Sequence, residues 1–221
     1  MKPRTYLFLA ACCILAAGCL PSQNQVSPGS NEAGARVGQI FHPKKWEYTE
    51  SPNLGMIPPE PVKGMADGRP LEIKSVIFQP FFDNWSMELC DTAPEEPLDI
   101  GFSTEYIKID LPRDIKVGSV FIHPMEWAGG DSLFQIKKKD EEGTTSWNSN
   151  AAWAIEITQW DVKPFDQEGD IFQEAGVASG RVYICYQGSA GFLNSGVAGV
   201  FHNAVVRYMG DPEWEDSTPE K

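Results

Sequence analysis

Three carboxylates at alternate positions, Asp166, Glu168 and Asp170, stand in the stretch Asp161-Val162-Lys163-Pro164-Phe165-Asp166-Gln167-Glu168-Gly169-Asp170. Oxygen ligands at such spacing can face one hard cation, and calcium takes oxygen ligands. The EF-hand pattern fails, because Ile171 occupies the glycine position and Val177 the glutamate position. The plainer reading is a solvated loop in an acidic protein. A second constellation is aromatic. Trp147 lies in a polar loop, and in a regular strand Trp160 shares a face with Glu156 and Thr158. Flat rings beside hydrogen-bonding groups grip sugars and peptides, which makes Trp147, Glu156 and Trp160 candidate ligand-binding residues. The competing expectation is that Trp160 packs against the preceding lead or a second sheet, since large aromatics are highly buried on average.

Other chemistries find little footing. His42, His123 and His202 stand alone, with no HExxH, HxH or cysteine cluster to hold zinc. Gly188-Ser189-Ala190-Gly191 is no nucleophile elbow, and no Gly-x-Gly-x-x-Gly loop occurs. Glycosidases need two positioned carboxylates. In a chain with 31 acids, abundance alone says nothing about positioning. The expectation is no cofactor, with calcium as the one alternative.

The elements that position these residues read as strands. Leu71–Phe78, Trp85–Leu89, Tyr106–Leu111, Gly118–His123, Ser132–Lys138, Trp153–Trp160, Gly180–Tyr186 and Val197–Met209 are rich in β-formers and mostly alternate. In Tyr106–Leu111 the alternation sends Ile107, Ile109 and Leu111 inward. A bulge is expected near Gly199. Lys139–Asn150 reads as a polar loop, and no stretch sustains a helical period. The fold class is therefore all-β, a single antiparallel β-sandwich or barrel-like domain over residues 71–209. An acidic, frayed tail follows over 210–221.

The N-terminus sets an address. Lys2 and Arg4 precede an apolar run from Leu7 to Gly18, too short to span a bilayer and laid out as a secretory signal peptide. Its end, Leu15-Ala16-Ala17-Gly18-Cys19, resembles the lipobox of bacterial lipoproteins. Ala17 and Gly18 fit the two positions before the cysteine, and Ala16 stands where the family prefers a larger aliphatic residue. The resemblance covers the first 20 residues. It implies cleavage after residue 18 and a diacylglyceryl group on Cys19, so that the mature chain is held at a membrane by its lipid. Leu20, where inner-membrane members often carry Asp, favours the outer membrane in an organism with two. Residues 19–70 then form a lipidated start and a Pro-rich tether and lead, whose aromatics Phe41, Trp46 and Tyr48 can lie against the domain.

Composition bounds the rest. Among 221 residues 42% are hydrophobic, enough for a core, and the net charge is -13. Such acidity repels phosphate backbones, so a nucleic-acid partner is not expected. After loss of the signal and lipidation of Cys19, Cys90 and Cys185 remain, and in an oxidising compartment they are expected to form a disulfide. Together these features describe a cell-envelope lipoprotein, a non-enzymatic binding or structural module with a protein or glycan partner. The alternative is an envelope hydrolase acting on glycan or peptide through its loops.

Overall fold

The computed structural model describes residues 48–99, 105–127, 131–137, 144–147, 150–188, 193–212 and 214, with 136–137 and 144–147 described by their backbone. A short 3-10 turn, Leu54–Met56, precedes eleven strands: β1 Lys63–Ala66, β2 Arg69–Glu72, β3 Ser75–Phe81, β4 Asn84–Cys90, β5 Tyr106–Pro112, β6 Val120–Trp127, β7 Ser132–Lys137, β8 Thr144–Trp147, β9 Asn150–Val162, β10 Phe172–Tyr186 and β11 Ser195–Met209. Strand makes up 61% of the described residues, and no α-helix occurs among them. All strands join one sheet in the order β6-β9-β10-β11-β3-β4-β5-β7-β8, with the β1–β2 hairpin attached to β11. The sheet curls strongly into a half-barrel. The all-β, barrel-like expectation holds.

Alternation decides which face each residue takes. In β5 the buried residues are Ile107, Ile109 and Leu111, as expected. They meet Phe78, Met87, Leu89, Ile155, Val182 and Ile184 in the central core. The curl brings β7 over β10, although these strands lie far apart in the sheet order. Phe134 stacks on Tyr186 with ring centroids 4.9 Å apart, and the Tyr186 and Ser132 hydroxyls meet at 2.5 Å. Burial pushes the Tyr186 hydroxyl up from its ordinary pKa, so it stays a neutral hydrogen-bonding group.

One pairing departs from the antiparallel expectation: β3 runs parallel to β11, through Val205↔Ile77 and Val206↔Phe78. The cause is local. β1 pairs antiparallel with β11, the Asp67-Gly68 turn reverses the chain into β2, and β3 continues in the direction of β2. β3 slides beside β11 where β1 has not yet begun. The sheet therefore starts at Lys63, ahead of the expected boundary at Leu71. The close approach of β1 to β11 depends on Gly64, where a Cβ would lie 1.9 Å from Gly196 O. β8 falls within the expected polar loop.

Two parts of the outer face are covered. Ile57, Tyr183, Cys185, Ala154 and Ala198 form a second small core, packed by Tyr48, Leu54, Met56, Met65 and Met125. The lead thus lies on the domain, as its aromatics suggested for Tyr48. Phe41 and Trp46 lie outside the described residues. On the other part, the chain after β4 crosses the sheet. Arg207 Nη1 donates to Pro97 O (3.2 Å) and Asp99 O (2.7 Å), and Arg207 Nε to Gln79 Oε1 (3.1 Å). Farther along the same face, β4 carries Glu88 and β5 carries Lys108 and Asp110. Burial raises the pKa of both carboxyls, against the lowering pull of Arg207 and Lys108 on Glu88 and of Lys108 on Asp110.

The expected disulfide does not form. Cys90 and Cys185 are buried and are not joined to each other. Cys90 ends β4 and Cys185 lies near the end of β10, with β11 and β3 between them. Three strand steps span roughly 14 Å, whereas a disulfide needs Cα atoms about 4–7 Å apart. Pairing by elimination ignored the sheet order.

Candidate functional site

The aromatic side chain singled out in the sequence reaches a site by an irregularity. β9 and β10 pair Ile157↔Gly180 and Gln159↔Ser179, leaving Thr158 as an extra residue. This β-bulge shifts the alternation by one. Before it, Ile155 and Ile157 face the core and Glu156 faces out. After it, Trp160 and Val162 take the inner side and pack against the core, while Thr158 is exposed. Trp160 therefore does not share a face with Glu156, because the strand is not regular.

Trp160 stands at the centre of an aromatic cluster at one end of the half-barrel. It meets Phe78 and Trp85 edge-on, both with centroids 5.4 Å away. Trp85 in turn meets Tyr208 at 5.7 Å and Trp214 at 5.4 Å. Phe165 closes on Tyr208 from behind at 5.2 Å. Trp214 belongs to the acidic tail expected to fray, and its ring packs on the domain. Between these rings opens a cleft of about 410 Å³, rimmed by Arg113, Asp114, Lys163 and Pro164. Two hydrogen bonds pin the rim to the walls. Trp85 Nε1 donates to Arg113 O (3.2 Å), and the Tyr208 hydroxyl donates to Lys163 O (3.1 Å). Trp85 and Tyr208 are each 4% exposed, so they are fixed walls. Trp160 and Trp214 are half-buried and offer ring surface to an occupant. Arg113, Asp114 and Lys163 are exposed and carry the hydrogen-bonding and charged groups.

Phe82 and Ile171, each 62% exposed, and Phe172, 45% exposed, lie at the same end. The register requires this, since Phe172 pairs with Met209 and β3 ends beside the end of β11. The lead enters at the opposite end, where Met125 N–H donates to Glu50 O.

The other candidates are dispersed. Glu156 lies on the outer face in an ion pair with Arg181. Trp147 sits on β8 at the far margin of the sheet, in register with Phe134 and, through it, with Ile107 and Leu89. That level is well along β4 from Trp85. Asp166, Glu168 and Asp170 do not form a metal-holding group, and none occurs among the described residues. The Gln173 amide occupies the middle of their loop. Its Nε2 donates to Asp166 O (2.7 Å) and Asp170 O (2.6 Å), and its Oε1 accepts from Asp166 N–H (3.0 Å). A side-chain amide supplies the cross-link that a cation would supply. His123 stacks on Trp153 at 4.0 Å, His202 lines a groove between β11 and β3, and Cys19 and His42 lie outside the described residues.

Sequence reasoning missed Trp85, Tyr208, Trp214, Arg113 and Lys163. The available signal was Trp214, a large ring in an otherwise acidic tail. Chemically, the cleft can stack a planar or ring-faced molecule and bond its polar edge. Among the described lining residues Asp114 supplies the one carboxylate, where glycoside hydrolysis uses two. Comparison with protein-family models, curated proteins and solved structures gives no match.

Proposed function

We propose that this chain is a lipid-anchored module of the cell envelope that grips a saccharide in the aromatic cleft. The observation that carries the reading is the pairing of half-buried indole faces, Trp160 and Trp214, with the exposed polar groups of Arg113, Asp114 and Lys163. Sugar rings present apolar C–H faces and hydroxyl edges, and that combination matches such a wall and rim. The lipobox-like Cys19 supports the anchoring. The lead meets the domain at the end away from the cleft, which suits a site held outward from a membrane.

Two experiments test the reading. The full chain is applied to a glycan array, and hits are titrated by calorimetry. Trp214→Ala is expected to weaken binding about tenfold or more with little change in melting temperature, because stacking on one aromatic is worth roughly 1–3 kcal/mol where it has been measured for other flat rings. Silence across the array removes the saccharide. Cys19→Ser is expected to release the protein from the membrane fraction, and its retention there removes the anchor.

A further inference from the structure

Four exposed apolar side chains lie on one short piece of chain: Val117 (62%), Val120 (44%), Ile122 (56%) and Trp127 (63%). That piece is β6 and the turn leading into it. β9 pairs with one edge of β6, and among the described strands none pairs with the other. An apolar edge strand is a template for a further strand.

The register says which backbone groups are open. Ile157 N–H donates to Ser119 O at 3.0 Å, so Ser119, Phe121 and His123 turn their backbone groups toward β9. Val120 and Ile122 turn theirs outward. Pro124 has no N–H, and Met125 N–H is bound by Glu50 O at 2.8 Å. The open edge is therefore Val120 and Ile122.

We propose that this edge pairs with a second copy of the same chain, antiparallel, about a twofold axis at Phe121. Val120 then faces Ile122 of the second copy, and the symmetry repeats the pair. Both residues exchange N–H···O=C bonds, and Pro124 is not called on to donate. An axis at Ile122 would set Val120 against Pro124. An axis at Val120 would set Ile122 against Gly118, whose N–H already donates to Ile157 O at 2.8 Å. The antiparallel arrangement also lays the head of one strand beside the tail of the other. The head carries Lys116 and Val117, and the tail carries Glu126 and Trp127. Opposite charges and apolar surfaces meet at both ends. Lys116 has no ion pair among the described residues, and Glu126, whose Oε1 lies 3.4 Å from His123 Nε2, keeps its side chain 62% exposed. This self-complementarity selects a second copy over a strand of another protein.

The test is sedimentation velocity of the detergent-extracted full chain. Two paired strands bury less than the roughly 1,600 Å² of a standard interface, so the dimer is expected at about 100 µM protein and monomer at about 1 µM. Lys116→Glu and Glu126→Lys each place like charges together and are expected to yield monomer at the higher concentration. The double variant K116E/E126K restores opposite charges and is expected to restore the dimer. Ile122→Lys is expected to abolish it. Circular dichroism checks that each variant keeps the fold, and all three positions are exposed. Co-purification of two differently tagged copies from one cell gives an independent reading. A wild-type monomer at the higher concentration, or a folded double variant that stays monomeric, overturns the proposal.

Discussion

The Ser179 hydroxyl donates to Gln159 Oε1 at 2.8 Å and, from the other side, accepts Asn203 N–H at 3.2 Å. Ser179 thus stands opposite two bulges at once: Thr158 on β9, and the irregularity at His202 and Asn203 on β11. The bulge expected near Gly199 lies here instead. Gly199 is required because a Cβ there would sit 2.5 Å from Glu60 O. Since the Thr158 bulge turns Trp160 into the cleft, Ser179 positions the cleft wall without touching an occupant. Ser179→Ala is expected to cost about 1–3 kcal/mol through the unsatisfied groups it leaves. It should also shift the tryptophan emission of the cluster. Urea unfolding and fluorescence spectra check both.

The Asp166–Asp170 loop is predicted to be indifferent to calcium. Millimolar calcium or excess chelator should leave the melting temperature unchanged, because Gln173 already ties the loop. Gln173→Ala removes three hydrogen bonds at an exposed loop, each worth about 0.5–1.5 kcal/mol when made, and should lower the melting temperature by a few degrees. Scanning calorimetry with and without calcium reads both effects.

Stability should fall as pH rises through the range set by Glu88 and Asp110. Both have folded pKa values above their unfolded ones, chiefly through burial. Such groups contribute stability that is fully present below the unfolded carboxylate pKa, about 4. It is lost as pH rises through the folded pKa. Glu88→Gln or Asp110→Asn should therefore flatten the decline above about pH 4. Comparing each variant with wild type by urea unfolding at several pH values isolates the effect from the background of the acidic surface. A parallel pair of curves contradicts it.

The cysteines should behave as buried thiols. In the native protein Cys90 and Cys185 are expected to resist alkylation, and burial also holds the Cys185 thiol above its ordinary pKa. In denaturant both should react, without prior reduction. Mass spectrometry after iodoacetamide counts them, and a reductant should leave the melting temperature unchanged.

Strands that alternate were legible: Tyr106–Leu111 lies in β5 with the expected residues inward. The strands that escaped were those built without apolar period. β1 is Lys63-Gly64-Met65-Ala66 within a Pro-rich stretch, and β8 is Thr144-Thr145-Ser146-Trp147 within a charged one. Pairing partners, not their own pattern, make them strands. The site was half legible. Trp160 was singled out, and the face it occupies was not, because a single extra residue at Thr158 reverses the alternation. Trp85 and Tyr208 fall within expected strands, Trp85–Leu89 and Val197–Met209, and nothing in those stretches marks either as part of a site. Only the sheet order and the parallel contact of β3 with β11 bring them to the same end.

That parallel contact is two residue pairs long, Val205 with Ile77 and Val206 with Phe78. It is a fault line. On one side stand β6, β9, β10, β11 and the β1–β2 hairpin, and on the other β3, β4, β5, β7 and β8. Trp160 belongs to the first half and Trp85 to the second. A molecule seated in the cleft, with Arg113 and Asp114 on the second bank and Trp160 and Lys163 on the first, would grasp both and work as a staple, so that occupancy would toughen the whole body against being pulled apart.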